Sequence, residues 1–183
     1  MIKNKKIDLR LKTLKHNMDA VNECYEDTLK DTVIECGIEY HKSYPYNEET
    51  INLFKKHEAL QKYREEKLFS SILNFTQIFY SIKEYLVKEY PSKKAIIENF
   101  FSNEKVKMKS RKEISNDLKH NPEKDLKFGI GEVSREIIIE PKKRITKINM
   151  RKTWFYSGID AVEYCNILFR ELMEFIEINF NES

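Results

Sequence analysis

Apolar residues recur along this chain at two periods, and the change from one to the other divides it. From Ile7 to about Tyr40, the positions Leu11, Leu14, Met18, Val21, Tyr25, Leu29, Val33 and Cys36 return every three or four residues. That spacing predicts one long amphipathic helix over about 7–40. It is expected to stop in "HKSYPYN", where Pro45 restricts Tyr44 and Asn47 is a good cap for a following first turn that holds Glu48 and Glu49. A second helical region is predicted over 48–90, either as one very long helix or as two. Its richest section, Leu68, Phe69, Ile72, Leu73, Phe75, Ile78, Phe79, Ile82 and Leu86, is apolar on more than one face, which a central core helix requires. After Pro91 a short helix is predicted over 92–101, with Ser92 as its cap and Ile96, Ile97, Phe100 and Phe101 packed inward. The thin apolar set Val106, Met108, Ile114 and Leu118 predicts a mostly exposed helix over 104–120.

Beyond Pro122 the period shortens. β-Branched runs on either side of "EPKKR" predict a β-hairpin over 131–156 with a turn of four residues or more. An isolated two-stranded hairpin is marginal in water, so this one is expected to pack on the helices or on a partner chain. Gly158 precedes a last helix, predicted over 159–179, whose Ile159, Val162, Ile167, Phe169, Leu172, Met173, Phe175 and Ile176 supply another buried face. The fold class is therefore mainly α: a helical bundle of about five helices with a β-hairpin inserted before the C-terminal helix, in a single domain spanning 1–183.

Composition agrees with that picture and narrows the chemistry. With four Gly and four Pro the chain has few helix breakers, and at 40% hydrophobic residues it can bury a core. Its net charge of +3 is too small to imply nucleic acid by itself, but the charge is unevenly spread. Residues 103–156 carry fifteen basic and eight acidic residues, whereas 157–183 carry one Arg and six acidic residues. The basic segment can bind an anion, or the acidic tail can neutralise it within the fold. Three cysteines, with no CxxC pair, argue against a disulfide framework and a zinc site. His16, His41, His57 and His120 are far apart in sequence, so no metal site is expected, and no cofactor loop is present. The basic run at the start is not followed by an apolar stretch, which is unlike a secretory signal, and no window is apolar enough for a membrane span. A cytoplasmic location is the default expectation.

Two stretches carry candidate chemistry. In the hairpin, Lys142, Lys143, Arg144, Lys147, Arg151 and Lys152 are interleaved with Trp154, Phe155 and Tyr156. Cations neutralise phosphates and aromatic rings stack on bases, so this is a candidate arm for RNA, DNA or another anionic partner. The same residues also fit an amphipathic hairpin whose Ile137, Ile139, Ile148 and Trp154 pack on the helices while lysines guard its edges. The second stretch is "RKEISNDLKHNP", 111–122, in which Lys112, Asn116 and His120 share one helical stripe. A cation, an amide and an imidazole so placed can hold a phosphate and move a proton. Lys119, His120, Asn121 and Pro122 are equally what an ordinary helix C-terminus requires.

Within that stretch "SNDLKH", 115–120, resembles the Arg-polar-x-x-x-His motif of HEPN domains. Asn116 stands at the polar position, His120 at the histidine and Ser115 where the family has its arginine; Arg111, one turn upstream on the Ser115 stripe, is the available substitute. The resemblance implies a small helical bundle, often a homodimer. It also implies either a non-catalytic binding module or a metal-independent endoribonuclease of toxin-antitoxin and phage-defence systems. In the ribonuclease, His120 would transfer a proton while basic groups steady the phosphate. The missing arginine favours the binding module, which would contact nucleic acid or an acidic partner through 103–156, with Lys112 and Lys119 beside the hairpin cations.

Overall fold

The computed structural model describes residues 4–29, 48–103, 128–140, 145–156 and 159–180. Its first helix, α1 (Lys5–Leu29), begins where Asn4 turns its side-chain oxygen onto the backbone N–H groups of Lys6 and Ile7, at 3.0 and 3.4 Å. Those are two of the donors that a helix start leaves unpaired. Ile7, Leu14, Met18, Val21 and Cys24 form its buried stripe. The remainder of the predicted 7–40 helix, and the capping Asn47, lie outside the described residues.

The region 48–90 is one helix. α2 (Glu48–Glu89) has 42 residues and is about 63 Å long at 1.5 Å per residue. Gln61, Glu65, Leu68, Ile72, Phe75, Phe79, Ile82 and Leu86 are all buried, and they succeed one another by alternating steps of four and three. That regular stripe needs no second helix to carry it. α1 runs antiparallel to α2, as shown by Asn4 Nδ2 donating to Glu89 at 2.9 Å, Arg10 to the Tyr85 hydroxyl at 2.6 Å and Cys24 Sγ lying 3.3 Å from Ser71 Oγ.

A 3-10 turn (Pro91–Lys93) leads into α3 (Lys94–Ser102). The expected Ser92 cap is replaced: Ser92 lies inside the 3-10 turn, and α3 begins after Lys93 with no side-chain cap. Pro91 explains the displacement, because its fixed φ starts the tighter turn one residue before Ser92. Of the four residues expected to face inward, Ile97 is buried, Phe100 and Phe101 are partly buried and Ile96 is exposed. Nine residues present only a narrow stripe, and Ile96 lies off it.

Strands β1 (Phe128–Glu140) and β2 (Ile145–Tyr156) form the predicted hairpin, starting three residues earlier than the β-branched run suggested. They pair antiparallel from Phe128↔Tyr156 to Glu140↔Ile145, with a bulge between Glu132 and Ser134. A short third strand, β3 (Ile159–Asp160), adds to β2 to give the order β1-β2-β3. The last helix, α4 (Ala161–Phe180), therefore starts two residues later than predicted. Asp160 caps it, its Oδ1 accepting from the N–H groups of Val162 and Glu163 at 2.8 and 3.2 Å.

α4 packs on α1 and α2, and its buried face is Ala161, Val162, Tyr164, Cys165, Leu168, Leu172, Phe175, Ile176 and Phe180. Ile159 and Met173, both expected to be buried, are instead exposed: Ile159 belongs to β3, and Met173 lies off the stripe that Leu168, Leu172 and Phe175 define. α3 closes one end of the bundle, with Phe100 stacked on Phe175 at 4.0 Å and Phe101 edge-on to Phe79 at 5.7 Å. The described residues thus contain four α-helices rather than about five, and the predicted helix over 104–120 falls outside them. No helix among the described residues is long and apolar enough to cross a membrane.

Candidate nucleic-acid interface

The hairpin is tied to the bundle through β2, which touches α1, α2 and α4. Trp154 makes the tie to α2. Its ring stacks on Phe69 with centroids 4.4 Å apart, and its indole N–H donates to the backbone carbonyl of Glu65 at 2.8 Å. Stacking plus a satisfied indole is the usual condition for holding a Trp at a partly buried seam. Its neighbour Thr153 is fully buried, and among the described residues its hydroxyl has no hydrogen-bond partner. Tyr25 donates to Asp160 across the same end of the bundle at 3.5 Å, and Asn166 donates to Asn22 at 3.2 Å. The root of the hairpin is therefore fixed from three helices.

Of the predicted interface residues, the structure describes the side chains of Trp154 and Phe155, both partly buried, and the polar edge of Trp154 faces the protein. The backbone register pairs Lys147 with Ile138 and Arg151 with Ser134. Counted by twos along β2, positions 147 and 151 lie on the face opposite position 154, whereas Ile148, paired with Ile137, shares the face of 154. Lys142, Lys143 and Arg144, between the strands, lie outside the described residues. So do Lys112, Lys119 and the three residues of the ribonuclease reading, Arg111, Asn116 and His120, as well as the loop "HKSYPYN". Among the described residues no group of three or more His, Cys, Asp or Glu side chains is placed to hold a metal ion.

The stretch of α2 beside the hairpin root has features that hydrophobic periodicity alone does not reveal. Here polar residues lie inside and apolar ones outside: Gln61 and Glu65 are buried, while Leu60 is 42% exposed and Tyr63 is 62% exposed. Lys62 and Lys67 flank Tyr63, with exposed side chains reaching Glu66 at 4.0 Å and Asp27 at 3.6 Å respectively. Tyr63 is the one aromatic among the exposed large apolar side chains of the described residues. Its signal in the sequence is an apolar position that falls off the stripe running through 61, 65 and 68.

The other end of the α1–α2 pair is electrostatically separate. Glu89 receives the Asn4 side chain at 2.9 Å and lies 3.6 Å from Lys6. The Asn4 hydrogen bond, helped by the positive charges of Lys6 and Lys88, holds its carboxyl below the ordinary glutamate value against a smaller opposing effect of desolvation. Arg10 lies 4.2 Å from the centre of the Tyr85 ring while donating to its hydroxyl.

No protein-family model matches the chain, and none of the curated proteins or solved structures compared with it matches either.

Proposed function

We propose that this protein is a non-catalytic binding module that holds an anionic partner, nucleic acid before an acidic protein, on its basic segment 103–156. The observation that carries this reading is the anchored ladder. β2 is secured at Trp154, and its last pair, Glu140↔Ile145, is nine residues farther along, about 30 Å at the usual rise per residue. The sequence joining the strands there is Pro-Lys-Lys-Arg, and Lys147 and Arg151 follow on β2. A long two-stranded arm with a fixed root holds its cations in a set order, which limits the freedom lost when phosphates are bound.

Filter binding of labelled single-stranded RNA at about 50 and 200 mM salt tests the reading. Affinity should fall steeply as salt rises, and a variant carrying Lys142→Ala, Lys143→Ala and Arg144→Ala should bind more weakly with a shallower salt dependence. A flat response to salt in the wild type would remove phosphate contacts. Binding of poly-glutamate in preference to RNA would point to an acidic protein partner instead. The alternative is a HEPN-like, metal-independent endoribonuclease using His120, Asn116 and Arg111. It requires the RNA to be cleaved in the presence of a chelator, with cleavage abolished by His120→Ala.

A further inference from the structure

We infer that the basic run 105–112 of this chain docks along α4, on the ridge formed by Glu171, Ile167 and Glu163. The inference narrows the binding reading above, because it leaves the hairpin cations to meet the phosphates.

Positions four apart are neighbours on a helix, so counting back from Phe175 gives Glu171, Ile167 and Glu163 as one ridge. The ridge starts beside α3, whose Phe100 stacks on Phe175, and ends at β3, where Ile159 is 39% exposed. Glu163 is exposed, Ile167 and Glu171 are partly so, and Glu174 is exposed beside them. Among the described residues these three carboxylates take part in no ion pair, and Arg170 is the one cation of the helix.

The chain itself supplies the occupant. Residues 104–127 lie outside the described residues, but the residues on either side of them are placed. α3 advances along α4 toward the hairpin, from Lys93 at the Asn179 carbonyl to Phe100 at Phe175, and Asn103 follows one turn later. At the far end Phe128 pairs with Tyr156 and Tyr156 with Ile159, which puts Phe128 two strand spacings, about 10 Å, from the foot of the ridge. The ridge itself, from Phe175 to Ala161, is about 21 Å long at 1.5 Å per residue. The 24 residues between Asn103 and Phe128 thus begin at one end of the ridge and finish near the other, with length to spare. Their first part, "KVKMKSRK", carries five cations and no carboxylate, with Val106 and Met108 to meet Ile167. Opposite charge tethered beside the ridge has a high local concentration there, whereas a phosphate strand is repelled by the same carboxylates.

Limited trypsin digestion tests the docking, because the run offers five cleavage sites and 142–144 offers reference sites in the same molecule. In a variant with Glu163→Gln, Glu171→Gln and Glu174→Gln, cleavage within 105–112 should be about 3- to 150-fold faster, the range for three surface ion pairs, with cleavage at 142–144 unchanged. Salt at about 0.5 M should raise the wild-type rate in the same way and the variant rate little. The substituted side chains are at least partly exposed, so matching circular dichroism spectra are expected. As a second measurement, a photo-crosslinking benzoylphenylalanine in place of Ile167 should join residues 104–112 of the same chain, read by mass spectrometry. Crosslinks confined to other segments or to a second copy overturn the inference, as do equal cleavage rates in wild type and variant. Filter binding of RNA separates the two readings. Equal cleavage with salt-dependent RNA binding overturns only the docking, and docking without RNA binding overturns only the binding reading.

Discussion

Thr153 and Glu89 show how differently single residues contribute in this molecule. Thr153 is fully buried beside Trp154, yet its hydroxyl has no partner among the described residues, and an unmet buried hydroxyl costs about 1–3 kcal/mol. Valine has the same shape and the same β-branching. Thr153→Val should therefore leave stability unchanged or raise it by about 1 kcal/mol, as read by urea unfolding. A loss of more than about 1 kcal/mol would mean the hydroxyl is satisfied. Glu89 acts through charge instead. Its folded-state value lies below the unfolded one, so its contribution is fully present above the ordinary glutamate range, near about pH 4.3, and is lost as pH falls through the lower folded value. In Glu89→Gln the amide oxygen still accepts from Asn4, but the titration is gone. The difference in Tm between wild type and variant should be constant above that range and close below it; a difference that widens on acidification would contradict the assignment.

Among the elements, α2 organises the rest. It faces α1 through Tyr85 and Ser71, meets the hairpin at Glu65 and Phe69, and receives α3 at Phe79. Gln77 is on its exposed side, where proline would remove one backbone hydrogen bond and clash with the preceding turn. Gln77→Pro should destabilise the protein by about 3 kcal/mol or more, because the helix is continuous there. Two helices meeting near this point would tolerate the change with little loss, and thermal unfolding distinguishes the cases. α4 depends on its ends in a milder way. Asp160 satisfies two backbone donors at its start, and Lys93 donates to the Asn179 carbonyl while lying over the Phe180 ring at its end. Asp160→Ala should cost about 1 kcal/mol. The periodicity of three and four located these helices, whereas their boundaries depended on Pro91 and on two residues of β3.

Across the whole molecule, the buried apolar side chains of α1, α2, α3 and α4 form one cluster. Phe75 lies in it without measurable exposure, and truncating a buried aromatic leaves a cavity that its neighbours only partly close. Phe75→Ala should lower stability by about 3–5 kcal/mol in a single transition followed equally by circular dichroism and by fluorescence of Trp154, the one tryptophan. Separate transitions for the two probes would show that the hairpin root unfolds independently of the bundle. The mainly helical class, and a hairpin set before the last helix, follow from sequence because hydrophobic period is a local property, readable over a few turns. The side of α4 that is buried was only partly legible. Ile159 and Met173 are as apolar as Leu168, and only the position of α1 and α2 around the helix decides which of them lose their water.

The same distinction holds for the candidate interface. Sequence alone determined the basic character of 103–156, the alternation of charge with aromatic residues and the spacing of Asn116 and His120, since these depend on residue identity and position. It left Trp154 open between a ring that stacks on bases and one that packs on the helices. Tertiary structure decided that the indole belongs to the α2 seam, that Gln61 and Glu65 are inside, and that Tyr63 is outside. Direction is a property of the neighbours: a side chain's exposure is set by the elements packed around it, and those are brought together by residues distant along the chain.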